Sequence, residues 1–339
     1  MPAEWEQHEA TWLAWPHEES DWPGKFEPIP WMYGEVVRHL SRVEKVRILV
    51  KDSEMECRVR CVLDKCHAQR ENVEFFAIPT DRSWTRDFCP MFVRSEKGDR
   101  GILNWRFNAW AKYDNSALDD AVPTLLAPRL GFPMWRPVWK DWRIVLEGGS
   151  VDVNGAGAAL TTEECLLSDV QTRNPGLARD DIEQIFAHFL GAPHTLWLRN
   201  GIAGDDTHGH IDDLARFTDA RTIAIAQEED PCDINHEPLK ENLALLREMR
   251  DQNGEPFRIE TLSMPEPVFF DGQRLPASYA NFYIANRIVL VPTFNDPNDR
   301  IALNKLAELF PDRQIVGIAS TELVLGLGTL HCMTQQQPA

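Results

Sequence analysis

The chain has 339 residues, more than the usual single compact domain and suited to two domains or one closed repeat architecture. Hydrophobic residues make up 43% of it, enough for a large core, which excludes wholesale disorder. Lys and Arg total 35 against 53 Asp and Glu, a net charge of -18; this argues against nucleic acid or an anionic membrane as partner and suits a small cationic ligand.

The opening MPAEWEQHEATWLAWP has neither a basic n-region nor an apolar h-region, so no secretory leader is expected. No run approaches the roughly 18 apolar residues of a membrane span. In chain order, VRILVK (46–51) reads as a strand, and Asp180 as the cap of a helix over DDIEQIFAHFLG. RTIAIAQ (221–227) reads as a strand, and EPLKENLALLREMRDQNG as a helix closed by Asn253-Gly254. FRIETL (257–262) and NFYIANRIVLVPTF (281–294) read as strands, DRIALNKLAELFP as a helix stopped by Pro311, and QIVGIAS (314–320) as a last strand. The class is mixed α/β. No linker or low-complexity segment invites a cut, so residues 1–339 are expected to form a single catalytic domain. Neither GxGxxG nor GxxxxGK[ST] is present, so there is no dinucleotide or P-loop fingerprint.

Seven cysteines (57, 61, 66, 89, 165, 232 and 332) stand at irregular spacing, which is no disulfide framework and contains no CxxC pair. A reducing cytoplasm is the simplest setting for them. Twelve tryptophans suggest aromatic walls around a site as well as core filling.

Five loops dense in glycine and reactive side chains carry the chemistry: SWTRDFCP at Asp87, VLEGGSVDVNGAG at Glu147, DDTHGHIDDLARF at His210, SYANFYIAN at Asn281 and GLGTLHCMTQQ at Cys332. They recur at intervals of about 60 residues, which suggests five structural units each sending one loop to a shared centre. Each alone has a plain structural reading: an ion pair of Asp87 with Arg86, a strand end at Glu147, a turn cap at Asn281, a buried small hydrophobe at Cys332. In THGHIDD, His208, His210 and Asp212 alternate and on a strand would share one face, the pattern of an HxHxD metal site. A metallohydrolase and a metal-free His/Asp site both remain open on spacing.

Taken together, Cys332 and His210 can attack an electrophilic carbon while the imidazole moves protons. Three acids around the thiol, Asp87, Asp212 and Glu147, would raise its pKa, an arrangement that suits a strongly cationic substrate. A planar guanidinium fits, because its parallel N–H pairs match carboxylates.

W-x-R-D, L-E-G-G, T-H-G-H-x-D-D-x-A-R-F, S-Y-x-N-F-Y-I-x-N and H-C-x-T-Q-Q, with WEQHEATWLAWP, NWRFNAW and TEECLL, resemble in this order the agmatine deiminase / bacterial-type peptidyl-arginine deiminase family. The resemblance covers nearly the whole chain. It implies a five-bladed α/β-propeller (pentein) of ββαβ-type units around a central site, with no metal or organic cofactor. It implies Cys332 as nucleophile, His210 as general acid/base, and Asp87 and Asp212 as the guanidinium clamp. Glu147 would orient His210 or the substrate, Asn281 would be a conserved polar neighbour, and Trp84 would line the entrance. Agmatine is the implied substrate and N-carbamoylputrescine the product; relatives often pair as homodimers.

Three departures stand out. The family commonly has GGGNIHC where this chain has GLGTLHC, TGP where it has FCP (placing Cys89 near the site), and often Gly where it has Ala111. Arginine or peptidyl-arginine deimination, amidino transfer, metal-dependent hydrolysis at His208/His210/Asp212 and idle guanidine binding are the alternatives.

Overall fold

The computed structural model describes residues 1–339. Short buried strands satisfy their backbone groups in five small sheets that repeat one wiring. In each, an antiparallel hairpin leads through a helix into a third strand parallel to the second. Met91–Arg94 pairs with Arg100–Leu103, which continues through the helix Ala117–Leu130 to Met134–Trp135. Asp152–Val153, Ala158–Thr162, the helix Arg179–Ile185 and His194–Leu198 form the next unit. Ala215–Asp219, Thr222–Gln227, His236–Glu248 and Arg258–Ser263 form a third. Tyr283–Ile284, Ile288–Thr293, Pro297–Leu309 and Gln314–Ala319 form a fourth.

The remaining unit is built from both ends of the sequence. Gln335–Pro338 pairs antiparallel with His8–Ala14, which runs through the helix Ile29–Leu40 to the parallel strand Lys45–Val50. A further helix, Ser53–Lys65, leads to Val73–Ala77 on the outer edge. Five ββαβ units, one closed by the two ends of the chain, are the wiring of the expected α/β-propeller. Buried apolar residues accordingly fall into three clusters rather than one.

Local chemistry explains where the predicted elements shift. The helix read from Asp180 starts at Arg179 behind Ala178, and Asp181, not Asp180, reaches back to accept the Ala178 amide at 3.0 Å. The helix read to Asn253-Gly254 ends at Glu248, because the Asp251 carboxylate takes the amides of Asn253 (2.8 Å) and Glu255 (2.9 Å) into a separate turn. The helix read from DRIALN begins at Pro297, with Asp296 accepting the Asn298 amide as cap. NFYIANRIVLVPTF is a hairpin rather than one strand, with Tyr283 opposite Leu290 and Ile284 opposite Val289.

Gln337 fastens the closing strand. Its Oε1 accepts from Trp12 Nε1 at 3.0 Å and from Arg47 Nη1 at 2.6 Å in a fully buried setting. Gln337→Ala strips Trp12 of its acceptor and Arg47 of one of its own. It should cost about 2 kcal/mol, measured as a lower urea midpoint at unchanged m-value.

Candidate active site

The five polar loops meet. Asp87 sits on the short helical turn Thr85–Phe88, Glu147 just before the turn Gly148–Ser150, and Asp212 within the turn Ile211–Asp213 that His210 precedes. Asn281 precedes the strand Tyr283–Ile284, and Cys332 precedes the closing strand. Asp87 and Cys332 are 6% exposed, whereas Glu147, His210, Asp212 and Asn281 are 1% exposed or less. Only the first two therefore border the open space, a cavity of about 930 Å³ also walled by Trp84, Trp110, Leu327 and Gly328. Trp84 is 4% exposed and belongs to the inner wall rather than to an entrance rim. A methyl group built on Gly328 would meet both its ring and the Cβ of Cys332 at 3.0 Å.

The Cys332 Sγ accepts from Asn281 Nδ2 at 3.1 Å and lies 3.7 Å from Asp212 Oδ2. Asn281 also pins the Cys332 turn through its Oδ1, which accepts from the His331 amide (3.0 Å) and the Thr329 hydroxyl (2.7 Å). Thr329, a departure from the family pattern, is thus a working donor. Leu327 holds the left-handed conformation (φ 64°) usually left to glycine and lines the cavity with its side chain. Burial first, and then Asp212, Asp213 and Asp87, push the Cys332 thiol well above its usual range.

Asp87 accepts from Trp110 Nε1 at 2.8 Å and from the Gly149 amide at 3.0 Å. Burial pushes its carboxyl up to about 6, opposed by His210 and assisted by Asp212 and Glu147. His210 Nδ1 stands 3.9 Å from both Asp87 Oδ1 and Asp212 Oδ1, and neither ring nitrogen has a hydrogen-bond partner. Burial alone would lower its pKa, yet Asp87, Cys165 and Asp212 together hold it well above the usual histidine value. A buried thiol, an imidazole held above its usual value and unpartnered carboxylate oxygen, with Asp212 Oδ1 among them, suit covalent attack on a carbon within a cation.

The HxHxD reading does not survive. Asp205 gathers the amides of Thr207, Gly209 and His210 at 2.8, 2.8 and 2.9 Å, so the segment is a tight turn and not a strand. His208 (φ 63°) turns to Ser168 Oγ at 3.1 Å, away from His210 and Asp212. Two other trios are close enough to share an ion: Glu147/Cys165/His210 and Asp212/Asp213/Cys332. In the first, Glu147 is already matched by the fully buried Arg173 at 3.1 Å; in the second, Asp212 is engaged by His331. Cys89 lies in the apolar core and does not border the cavity.

Sequence reasoning missed Arg173, Trp110, His331, Asp213 and Glu4. Trp110 and His331 stood inside quoted blocks, NWRFNAW and LHC, without a role; Arg173 and Glu4 gave no signal beyond an ordinary charged residue. Gly149 is the hinge of the whole arrangement. A methyl there would lie 2.5 Å from His210 Nδ1, 3.0 Å from Asp87 Oδ1 and 3.1 Å from Asp212 Oδ2. Gly149→Ala should therefore lower kcat/KM at least about a hundredfold by misplacing all three, while circular dichroism shows a retained fold.

Residues 1–338 match the model of the Porphyromonas-type peptidyl-arginine deiminases. A protein of Latilactobacillus sakei that carries the provisional name agmatine deiminase is 34% identical over all of this chain and 96% of its own length. The agmatine deiminase of Enterococcus faecalis, in a structure described as catalysing its reaction, superposes with a TM-score of 0.90 at 31% identity, covering 100% of this chain and 95% of that one. A Cys→Ser variant of an agmatine deiminase from C. jejuni with substrate bound gives 0.87 at 32% identity, covering 99% and 95%. With one family model spanning nearly every residue and relatives matched end to end, the chain belongs to the Porphyromonas-type peptidyl-arginine deiminase family.

Proposed function

We propose that residues 1–339 act as one catalytic domain, an agmatine deiminase that uses no metal or organic cofactor. The observation that carries this reading is the placement of Cys332 between carboxylates. A thiol that burial, Asp212, Asp213 and Asp87 all hold neutral is poorly suited to an uncharged or anionic substrate. A guanidinium gripped by Asp87 and the free Oδ1 of Asp212 reverses that field and favours the thiolate.

Cys332 gives its proton to solvent as the cation enters, and its sulfur bonds to the guanidinium carbon. His210, charged in the resting site, protonates the departing nitrogen, and ammonia leaves an amidino-cysteine. The now neutral His210 takes a proton from water as the oxygen attacks. Collapse breaks the C–S bond, the hydroxyl proton passes to the departing Cys332 sulfur, and N-carbamoylputrescine leaves with a ureido group that has lost the charge the carboxylates held. Glu147, tied to Arg173 and grouped with His210, steadies that imidazole, and Asn281 steadies the sulfur. Trp84 and Trp110 wall the methylene chain.

The cavity mouth favours agmatine over arginine. Its Arg82 is paired with Asp21, and nearby Lys112 with Asp206, so a substrate carboxylate finds no free cation there. All seven cysteines are unpaired, which suits a reducing cytoplasm. No helix is long and apolar enough to cross a membrane. Sedimentation would show whether the chain pairs as a homodimer.

Ammonia release tests the reading, with agmatine, arginine and a peptidyl-arginine assayed for wild type and Cys332→Ala, with and without EDTA. Release from agmatine that EDTA spares and the variant lacks is the expected result. Release that survives loss of the thiol overturns the covalent route.

Asp87 sets the acid limit. Below about pH 6 it takes up a proton and loses its grip, so kcat/KM should fall about tenfold per pH unit there. Because its folded pKa lies above the unfolded one, the ionised form weakens the fold, fully so above about pH 6. Asp87→Asn should thus lose at least about a hundredfold in kcat/KM without losing thermal stability at pH 7.

A further inference from the structure

His331, next to the nucleophile, has no part in the chemistry above, yet it is held more tightly than His210. Its Nδ1 lies 2.7 Å from Asp212 Oδ2 and its Nε2 2.7 Å from Glu4 Oε2, and all three side chains are at most 3% exposed. Both neighbours are carboxylates. A neutral ring has one N–H and one lone pair, so it could satisfy only one of them and would press its lone pair against the other; only the imidazolium donates to both.

The charges packed around the ring agree. Glu4 also receives Arg216 Nη2 at 2.9 Å, Arg86 Nη2 at 3.4 Å and the Ile284 amide at 2.8 Å, and Arg216 Nε reaches Asp152 at 3.2 Å. Asp212, Glu4 and Asp152 face Arg86 and Arg216, and this buried group is neutral only when His331 adds the third positive charge. On its other side, Asp212 meets the acids Asp87 and Asp213 and the base His210. Burial would raise the Asp212 carboxyl, but His331, His210 and Arg216 hold it down, while burial leads in pushing Asp87 and Asp213 up. Of the three crowded acids, Asp212 is the one whose carboxyl is held below its ordinary value. Its Oδ2 is fixed by His331 and its Oδ1 is left without a partner.

We propose that Glu4 is a positioning residue of the reaction: by holding His331 as an imidazolium it keeps Asp212 anionic and fixed in orientation, with Oδ1 reserved for the substrate's cation. The nature of that cation rests on the deiminase reading; the charge state of His331 does not. Glu4 acts from the segment ahead of the strand His8–Ala14, 327 residues from the histidine it holds.

Glu4→Gln keeps an oxygen for His331 and removes the charge. The expected result is a KM for agmatine raised about tenfold and an acid limb of kcat/KM moved up by about one pH unit, with kcat on the alkaline plateau changed far less. Glu4→Asp should recover part of both. A uniform fall in kcat with KM and the acid limb unmoved would mark Glu4 as merely structural and overturn the proposal. Histidine-labelled NMR of the wild-type protein decides independently of whether the variant folds. Two protonated nitrogens on His331 at pH 7 are expected, and a single protonated tautomer overturns the proposal. A chain that releases no ammonia from agmatine while His331 is doubly protonated would refute the deiminase reading and leave the hold of Glu4 on His331 standing.

Discussion

The rest of the structure depends on the crowding of buried carboxylates around one thiol. Asp87, Asp212, Asp213 and Glu147 are all buried, and isolated ionised carboxylates in such a setting are strongly unfavourable. The fold meets this with graded compensation. Glu147 has Arg173, Asp212 has His331, Asp213 shares Asn281, and Asp87 has a backbone amide, an indole N–H and His210 at 3.9 Å. Asp87, whose carboxyl burial still raises to about 6, is the one of these acids that borders the cavity, so its unmet charge points at the place where a cation would arrive.

Backbone strain also occurs at the same wall. Ala109, Trp110 and Ala111 lie in succession at φ 49°, 59° and 52°, and Leu327 at 64°, all conformations that side chains disfavour by about 1–2 kcal/mol each. The first run aims the Trp110 indole at Asp87; the second sets Leu327 against the cavity. Of these four, Ala111 and Leu327 stand where the resembled pattern has glycine, and Leu327 lines the cavity.

Much of this was legible in the amino-acid order because it was encoded locally. The spaced polar loops anticipated five units, and the ordered motifs pointed to Asp87, Glu147, His210, Asp212 and Cys332, which the fold brings together. The HxHxD pattern misled because alternation implies a shared face only on a strand, and Asp205 bends this segment into a turn. Arg173, Glu4 and His331 escaped notice for a different reason. Their significance is purely tertiary, lying in partners 26, 327 and 119 residues away that no spacing rule connects.

That separation bears on how the protein comes to life. The strand His8–Ala14 pairs with Gln335–Pro338, and Glu4 meets His331 only once that pairing exists. Closing so long a loop is entropically slow and late. The thiol therefore acquires its full surroundings only when the closing strand has paired with the first, and a chain with that pairing undone carries Cys332 without the Glu4–His331 contact beside it. Synthesis in order acts as a safeguard, because reactivity toward guanidines emerges only with the finished ring.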